Sequence, residues 1–215
     1  MKDCIIKIII GFVILCIMII GYKVWKVHSQ SQYEIKVIGN SKWAFDIVFK
    51  NWNNNQKIKE FRHSIQTQNS PFVFLECGTT NGTSLNYYFV DFKKNQILAD
   101  FRGIKGTFSI NPVIAETIKE ILKPIKKENQ IFDGTSKMYD DATYFLTFHS
   151  KGQTLRYGFY SLSGYFGKYK NKEDERVSLI NRIIFNKVLL EIEYEIWKQK
   201  PELFKSRPFF DCRVG

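Results

Sequence analysis

Residues 5–22, Ile-Ile-Lys-Ile-Ile-Ile-Gly-Phe-Val-Ile-Leu-Cys-Ile-Met-Ile-Ile-Gly-Tyr, constrain this chain more than any other stretch. Lys7 is their one charge. As a helix they would reach about 27 Å at 1.5 Å per residue, close to the hydrocarbon thickness of a bilayer. Lys7 lies near the start, where its stem can run along the acyl region while the ammonium reaches the headgroups. Tyr22, Lys23, Trp25 and Lys26 come next as an interfacial belt. The stretch reads as a transmembrane signal anchor, with residues 23–32 as a juxtamembrane linker.

The competing reading is a cleaved signal peptide, which needs a small-residue cleavage site after an apolar stretch of about 7–15 residues. The tolerable point comes after Val27-His28-Ser29, which would leave Gln30 as the new terminus. Lys23, Trp25 and Lys26 would then separate the apolar run from the scissile bond, an awkward arrangement. Cys16 fits a lipoprotein site poorly, because Leu15 stands where a small residue is wanted. Lys2 and Lys7 lie on one side of the run and Lys23, Lys26 and Lys36 on the other, a count that slightly favours a cytosolic C-terminal side. A short basic start is the usual mark of an anchor that exports its downstream domain. A single-pass protein with an extracytoplasmic domain is the expectation.

Residues 33–215 are long enough for one sizeable core, and 19 Phe, 11 Tyr and 4 Trp in the chain exclude a disordered tail. The net charge of +11 favours anionic partners: an acidic protein, nucleic acid or anionic lipid. A chain rich in Lys, Ile and Asn also arises from base composition alone. Cysteines stand at 4, 16, 77 and 212 with no Cys-x-x-Cys spacing, so no zinc or redox motif is written in them. Cys77 and Cys212 are either a disulfide in an exported domain or two buried thiols.

Periodicity then gives the elements. Tyr33–Val37 alternates as a half-buried strand. Trp43–Trp52 fits strand and helix spacing alike, and Ile58, Phe61 and Ile65 mark a short amphipathic helix. Residues 72–77 (FVFLEC), 85–92 (LNYYFVDF) and 97–101 read as strands. Asn111 caps a helix with Pro112 at its first position, and Ile114, Ile118, Ile121 and Ile125 face inward. Thr143–His149 and Thr154–Leu162 form a hairpin about Lys151-Gly152. A long helix runs from about Glu173 to Lys200, capped by Asn171 and stopped at Pro201. Its buried stripe is Val177, Ile180, Ile184, Val188 and Ile192, widened by Ile183, Leu190 and Trp197. The fold class is α+β: a mainly antiparallel sheet packed by helices on one face, with a long C-terminal helix. Tyr88-Phe-Val-Asp-Phe92 and Tyr144-Phe-Leu-Thr-Phe148 suggest a weak strand-strand-helix repeat over residues 85–126 and 142–199.

Chemistry is sparse in the sequence. No phosphate-loop, dinucleotide, zincin or nucleophile-elbow motif occurs, and no cofactor or metal site is implied. Cys77 and His149 both end strands, a spacing that a nucleophile–base pair would need but that a buried thiol and a turn histidine also satisfy. Helix, three-strand meander, helix, strand resembles the element order of the restriction-endonuclease-like nucleases, which hold a divalent metal between an acidic residue and an acid-x-Lys pair. Glu76, Asp91 with Lys93, and Asp100 carry those residue types, so a metal-dependent nuclease is the alternative reading. The leading one is a membrane-tethered, non-enzymatic module that binds a protein or envelope partner; an immunity or accessory protein of a bacterial envelope shares this plan. Its binding surface is sought in residues 161–172, where Tyr165, Phe166 and Tyr169 interleave with Lys168, Lys170 and Lys172. Aromatic anchors beside cations suit an acidic protein, a lipid headgroup or nucleic acid.

Overall fold

A computed structural model of the chain describes residues 15, 18, 19, 35–39, 45, 70–78, 85–101, 104–135, 142–161 and 168–204. Met1–Glu34 and Ile35–Gly215 are separate compact units. In the first, Leu15, Met18 and Ile19 are helical and exposed. The rest of the expected anchor lies outside the described residues, as do the linker at 23–32, the helix expected at 57–66, Tyr165, Phe166 and Cys212. Among the described residues, no helix is long and apolar enough to cross a membrane.

The second unit is a mixed α+β fold. Among the described residues, eight strands form one sheet: β1 (Lys36–Gly39), β2 (Phe72–Gly78), β3 (Leu85–Asp91), β4 (Gln96–Phe101), β5 (Ile104–Ser109), β6 (Ile131–Gly134), β7 (Thr143–Ser150) and β8 (Gln153–Tyr160). They lie in the order β1-β6-β8-β7-β2-β3-β4-β5. Among these strands, the β1–β6 and β6–β8 pairings are parallel and the others antiparallel. Tight turns fix the hairpins. Lys151 and Gly152 both have positive φ (50° and 74°), the geometry that matches the twist of β7 and β8. Between β3 and β4, Asp91 accepts from the Lys93 and Lys94 amides, and Asn95 supplies the positive φ.

Two helices follow their sequence signals closely. Helix α1 (Pro112–Leu122) starts where the Asn111 side chain accepts from the Val113 amide, and α2 (Lys172–Gln199) where Asn171 accepts from the Asp174 amide. Glu173, Asp174 and Glu175 fill the first turn of α2, where the helix dipole favours carboxylates.

Register assigns each strand residue to a face. Val73, Leu75 and Cys77 line up with Val90, Tyr88 and Asn86 on one side and with Phe148, Leu146 and Tyr144 on the other. Helices α1 and α2 cover this face with Ile118, Leu122, Phe185, Val188, Leu189, Ile192 and Ile196. The opposite face is buried as well. Phe72, Phe74 and Phe89 form one cluster there, and Phe132, Phe145 and Tyr160 another. Phe45, a helical residue, packs on Phe132 with ring centroids 5.2 Å apart.

The sheet is therefore not covered on one face alone, as the sequence suggested. Its central strands are apolar on both sides, the pattern of a strand sandwiched between layers. Two strands also escaped the sequence reading. β5 is a polar edge strand with Lys105, Gly106 and Thr107 at its centre, and β6 is only four residues long. The stripe on α2 needs a second correction: Ile183, Leu190 and Trp197 do not widen the core but face water. Phe185, Leu189 and Ile196 take that place.

Candidate functional site

The basic segment after β8 is organised by a carboxylate that the sequence did not single out. Asp133, on β6, faces α2 and is 1 % exposed. Its Oδ1 accepts from the Thr135 amide at 2.9 Å and the Thr135 hydroxyl at 2.6 Å. Its Oδ2 accepts from Arg182 Nη2 at 3.0 Å, from the Tyr169 hydroxyl at 2.8 Å, and from the Ser178 hydroxyl. Burial alone would push this carboxyl up. Arg182, Ser178 and Thr135 together outweigh that and hold it below the ordinary carboxylate range.

Arg182 extends the network. It donates to the Ser161 and Tyr160 carbonyls, and its guanidinium lies 4.5 Å above the Phe159 ring. Ser161 has φ of 66°, a left-handed conformation uncommon outside glycine, and this sets the exit direction of the chain from β8. Arg182 thus fixes the start of the 161–172 segment, and Tyr169 pins it again further on. The Tyr169 ring is half-buried against Ile38, Ile131 and Val177. Burial pushes its phenol above the ordinary tyrosine value; hydrogen bonding with Ser178 and Thr135 acts against that, and the charge of Asp133 adds to it.

Of the six residues sought as a binding surface, Tyr169 is therefore drawn inward as an anchor, while Lys168, Lys170 and Lys172 are exposed. The Asn171 cap holds the end of the segment, so these three cations project from a backbone fixed on both sides of Lys170. Asp133 and Arg182 escaped the sequence reading because they stand 49 residues apart, and Ser178 because a single serine in a helix carries no signal. A helical wheel held what signal there was: Ser178 and Arg182 fall on the same side of α2 as Phe185 and Leu189.

The carboxylates of the nuclease reading do not gather. Glu76 is 1 % exposed and pairs with Arg156 at 2.9 Å. Asp91 is committed to the β3–β4 turn, with Lys93 in that turn and exposed. Asp100 lies 3.5 Å from Lys105 on the neighbouring strand. Among the described residues, no three acidic, histidine or cysteine side chains come together as a metal would need. Cys77 and His149 face opposite sides of the sheet: Cys77 sits across from Tyr144, and His149 across from Phe72, five residues away along β2. They cannot act as a pair. Cys77 is buried in the helix-covered core.

No protein-family model matches the chain, and no curated protein matches it.

Proposed function

We propose that the chain is a membrane-anchored, non-enzymatic module that binds an acidic protein partner outside the cytoplasm through the basic segment at residues 164–172. The carrying observation is the presentation of Lys168, Lys170 and Lys172 to water from a segment held by the Tyr169–Asp133 bond and the Asn171 cap. Cations on a fixed backbone lose little conformational entropy on contact, and they speed encounter with an acidic face. The apolar run at 5–22 supports the anchor. The commitment of Glu76, Asp91 and Asp133 to internal partners favours binding over catalysis.

The test places a photo-crosslinking amino acid at Lys170 of the full-length protein in its own cells. The expected adduct is with an acidic protein in the membrane fraction, and it weakens when Lys168 and Lys172 are changed to Glu. An adduct with nucleic acid or lipid alone would overturn the reading. Reporter fusions at Gly215 test the topology: activity of a cytosolic reporter only would overturn export.

A further inference from the structure

The sheet ends in two edge strands, β1 and β5, and the chain treats them differently. At β5 the outward groups of Ser109 are covered: its amide donates to Gln199 Oε1 at 3.1 Å, and Gln199 Nε2 donates to its carbonyl at 2.7 Å. Lys105, Gly106 and Thr107 make the rest of that edge polar. At β1 the Lys36 amide donates to the Gln130 carbonyl at 3.1 Å. Backbone groups alternate along a strand, so Lys36 and Ile38 turn theirs to β6, and Val37 points its N–H and C=O the other way. Among the described residues, β1 pairs with β6 alone, and nothing meets the outward groups of Val37. Such an edge is a template for another strand.

The two faces of this edge differ in chemistry. Ile35 and Val37 are half-buried and pack against the cluster of Phe132, Phe145 and Tyr160. Lys36 is on the α2 face, with its ammonium 2.6 Å from Asp174 and its side chain 60 % exposed. Ile38, on that same face, packs with Ile131 and Val177, and Tyr169 packs against this cluster. The basic segment is therefore continuous with the edge, because Lys168 and Lys170 flank Tyr169. The acids of the first turn of α2 leave this face basic. Asp174 is paired with Lys36, and Glu173 with Arg176. Glu175 lies about 100° round the helix from Asp174, on the flank of Arg182 rather than that of Val177 and β1.

We infer that an extended segment of the acidic partner adds to the sheet as a further strand beside β1. Its backbone bonds to Val37, with acidic side chains on the face of Lys36 and apolar ones on the face of Val37. This rests on the proposed binding of an acidic protein and names the form in which that protein binds. Main-chain bonds of this kind supply affinity, and the alternating side chains select the partner. A second copy of β1 would fit the backbone but not the charge. A twofold through Val37 sets the two Lys36 side chains diagonally across from each other and brings both basic segments to one join. An acidic strand meets no such repulsion.

Fluorescence anisotropy of the full-length protein in a mild detergent, titrated against labelled Val-Glu-Val-Glu-Val-Glu-Val, tests this. A dissociation constant of about 10–100 µM is expected at low salt. Only one alternate set of peptide amides, the valines' or the glutamates', can face β1. Methylating the nitrogens of that set should weaken binding at least about 10-fold, and methylating the other set by less than about threefold. Val37→Pro removes an outward donor, leaves the β6 ladder intact, and should weaken binding about fivefold. The methylated peptides test the unaltered protein, and so decide the matter even if Val37→Pro fails to fold. Equal effects of the two methylation patterns overturn strand addition and leave the acidic-partner reading standing. So does an absence of peptide binding while Lys170 still crosslinks to an acidic protein. Binding that survives changing Lys168, Lys170 and Lys172 to Glu overturns both. Self-association of the protein that Val37→Pro abolishes would give β1 to a second copy and overturns strand addition as well.

Discussion

Two buried ion pairs sit on opposite faces of the same sheet. Glu76–Arg156 joins β2 to β8 across the intervening β7, on the face that Phe45 covers. Asp133–Arg182 joins β6 to α2, on the helix-covered face. Each arginine lies 4.5 Å over a phenylalanine ring, Phe145 for Arg156 and Phe159 for Arg182. Their surroundings differ. Arg156 and Glu76 tie strand to strand within a sheet already held by its backbone ladder. Asp133 and Arg182 tie together a strand, a helix, the left-handed turn at Ser161 and the anchor at Tyr169. A buried ion pair is weak evidence for stability as such, because desolvation offsets the attraction. The difference lies in what each pair positions: one fixes register, the other a surface segment.

The largest effects should come from removing one partner of each pair. Arg182→Met and Arg156→Met each take the cation away from a buried carboxylate, a loss of about 3–5 kcal/mol. Arg182→Met should be worse by about 1 kcal/mol or more, because the Ser161 and Tyr160 carbonyls also lose their donor. Urea unfolding measures both, and equal losses would erase the distinction between the two pairs.

The second face can be tested by packing alone. Gly158 lies between Phe132 and Phe145 in the register, where the two rings stack with centroids 5.4 Å apart. A β-carbon at Gly158 would come within 2.5 Å of Phe145 Cδ1 and 2.6 Å of the Tyr144 carbonyl. Gly158→Ala should therefore cost about 1–3 kcal/mol in the same assay. It should leave the Asp133 network intact, so its loss should add to that of Arg182→Met.

Acid should separate the pairs next. The Asp133 carboxyl is held below its ordinary value in the fold, so its contribution is fully present above the unfolded-state value of about 3.9. It is lost as pH falls through the lower, folded value. The wild-type protein should lose stability below about pH 4, and Asp133→Asn should be less stable at neutral pH with a flatter decline in acid. Urea midpoints across that range measure the slope. An unchanged slope in Asp133→Asn would remove Asp133 from the acid response.

Legibility from sequence followed the range of the interactions. Asn111-Pro112, Asn171 and the Lys151-Gly152 turn act within a few residues, and each appears where its local chemistry dictates. β6 did not, because four residues carry too little periodicity and its partner β1 lies some 95 residues earlier. β5 hid behind Lys105-Gly106-Thr107, a polar edge that reads as a loop. On α2 apolar residues occur all round, so periodicity could not say which arc was core; only the packed sheet decides between Phe185 and Ile183. The candidate segment was legible by composition at Lys168, Lys170 and Lys172, whereas the inward turn of Tyr169 depends on Asp133, 36 residues away.

The smallest stability effect and the sharpest functional one should come from the same three lysines. Lys168, Lys170 and Lys172 are exposed, so changing all three to Glu should shift folding by under about 0.5 kcal/mol per site. Tyr169→Phe, one residue away, should cost about 1 kcal/mol, because Asp133 and Ser178 lose the hydroxyl they share. Partner binding should respond in the opposite order. The lysine changes should slow association strongly at low salt and weakly at high salt, where screening shortens the reach of charge to a few ångströms. Tyr169→Phe should act through the positioning of the segment, with little dependence on salt. Association rates of the crosslinked partner, measured at low and high ionic strength, separate the two. A salt-independent loss in the lysine variant would mean that contact rather than steering carries the interaction, and that the fixed backbone matters more than the charges it presents.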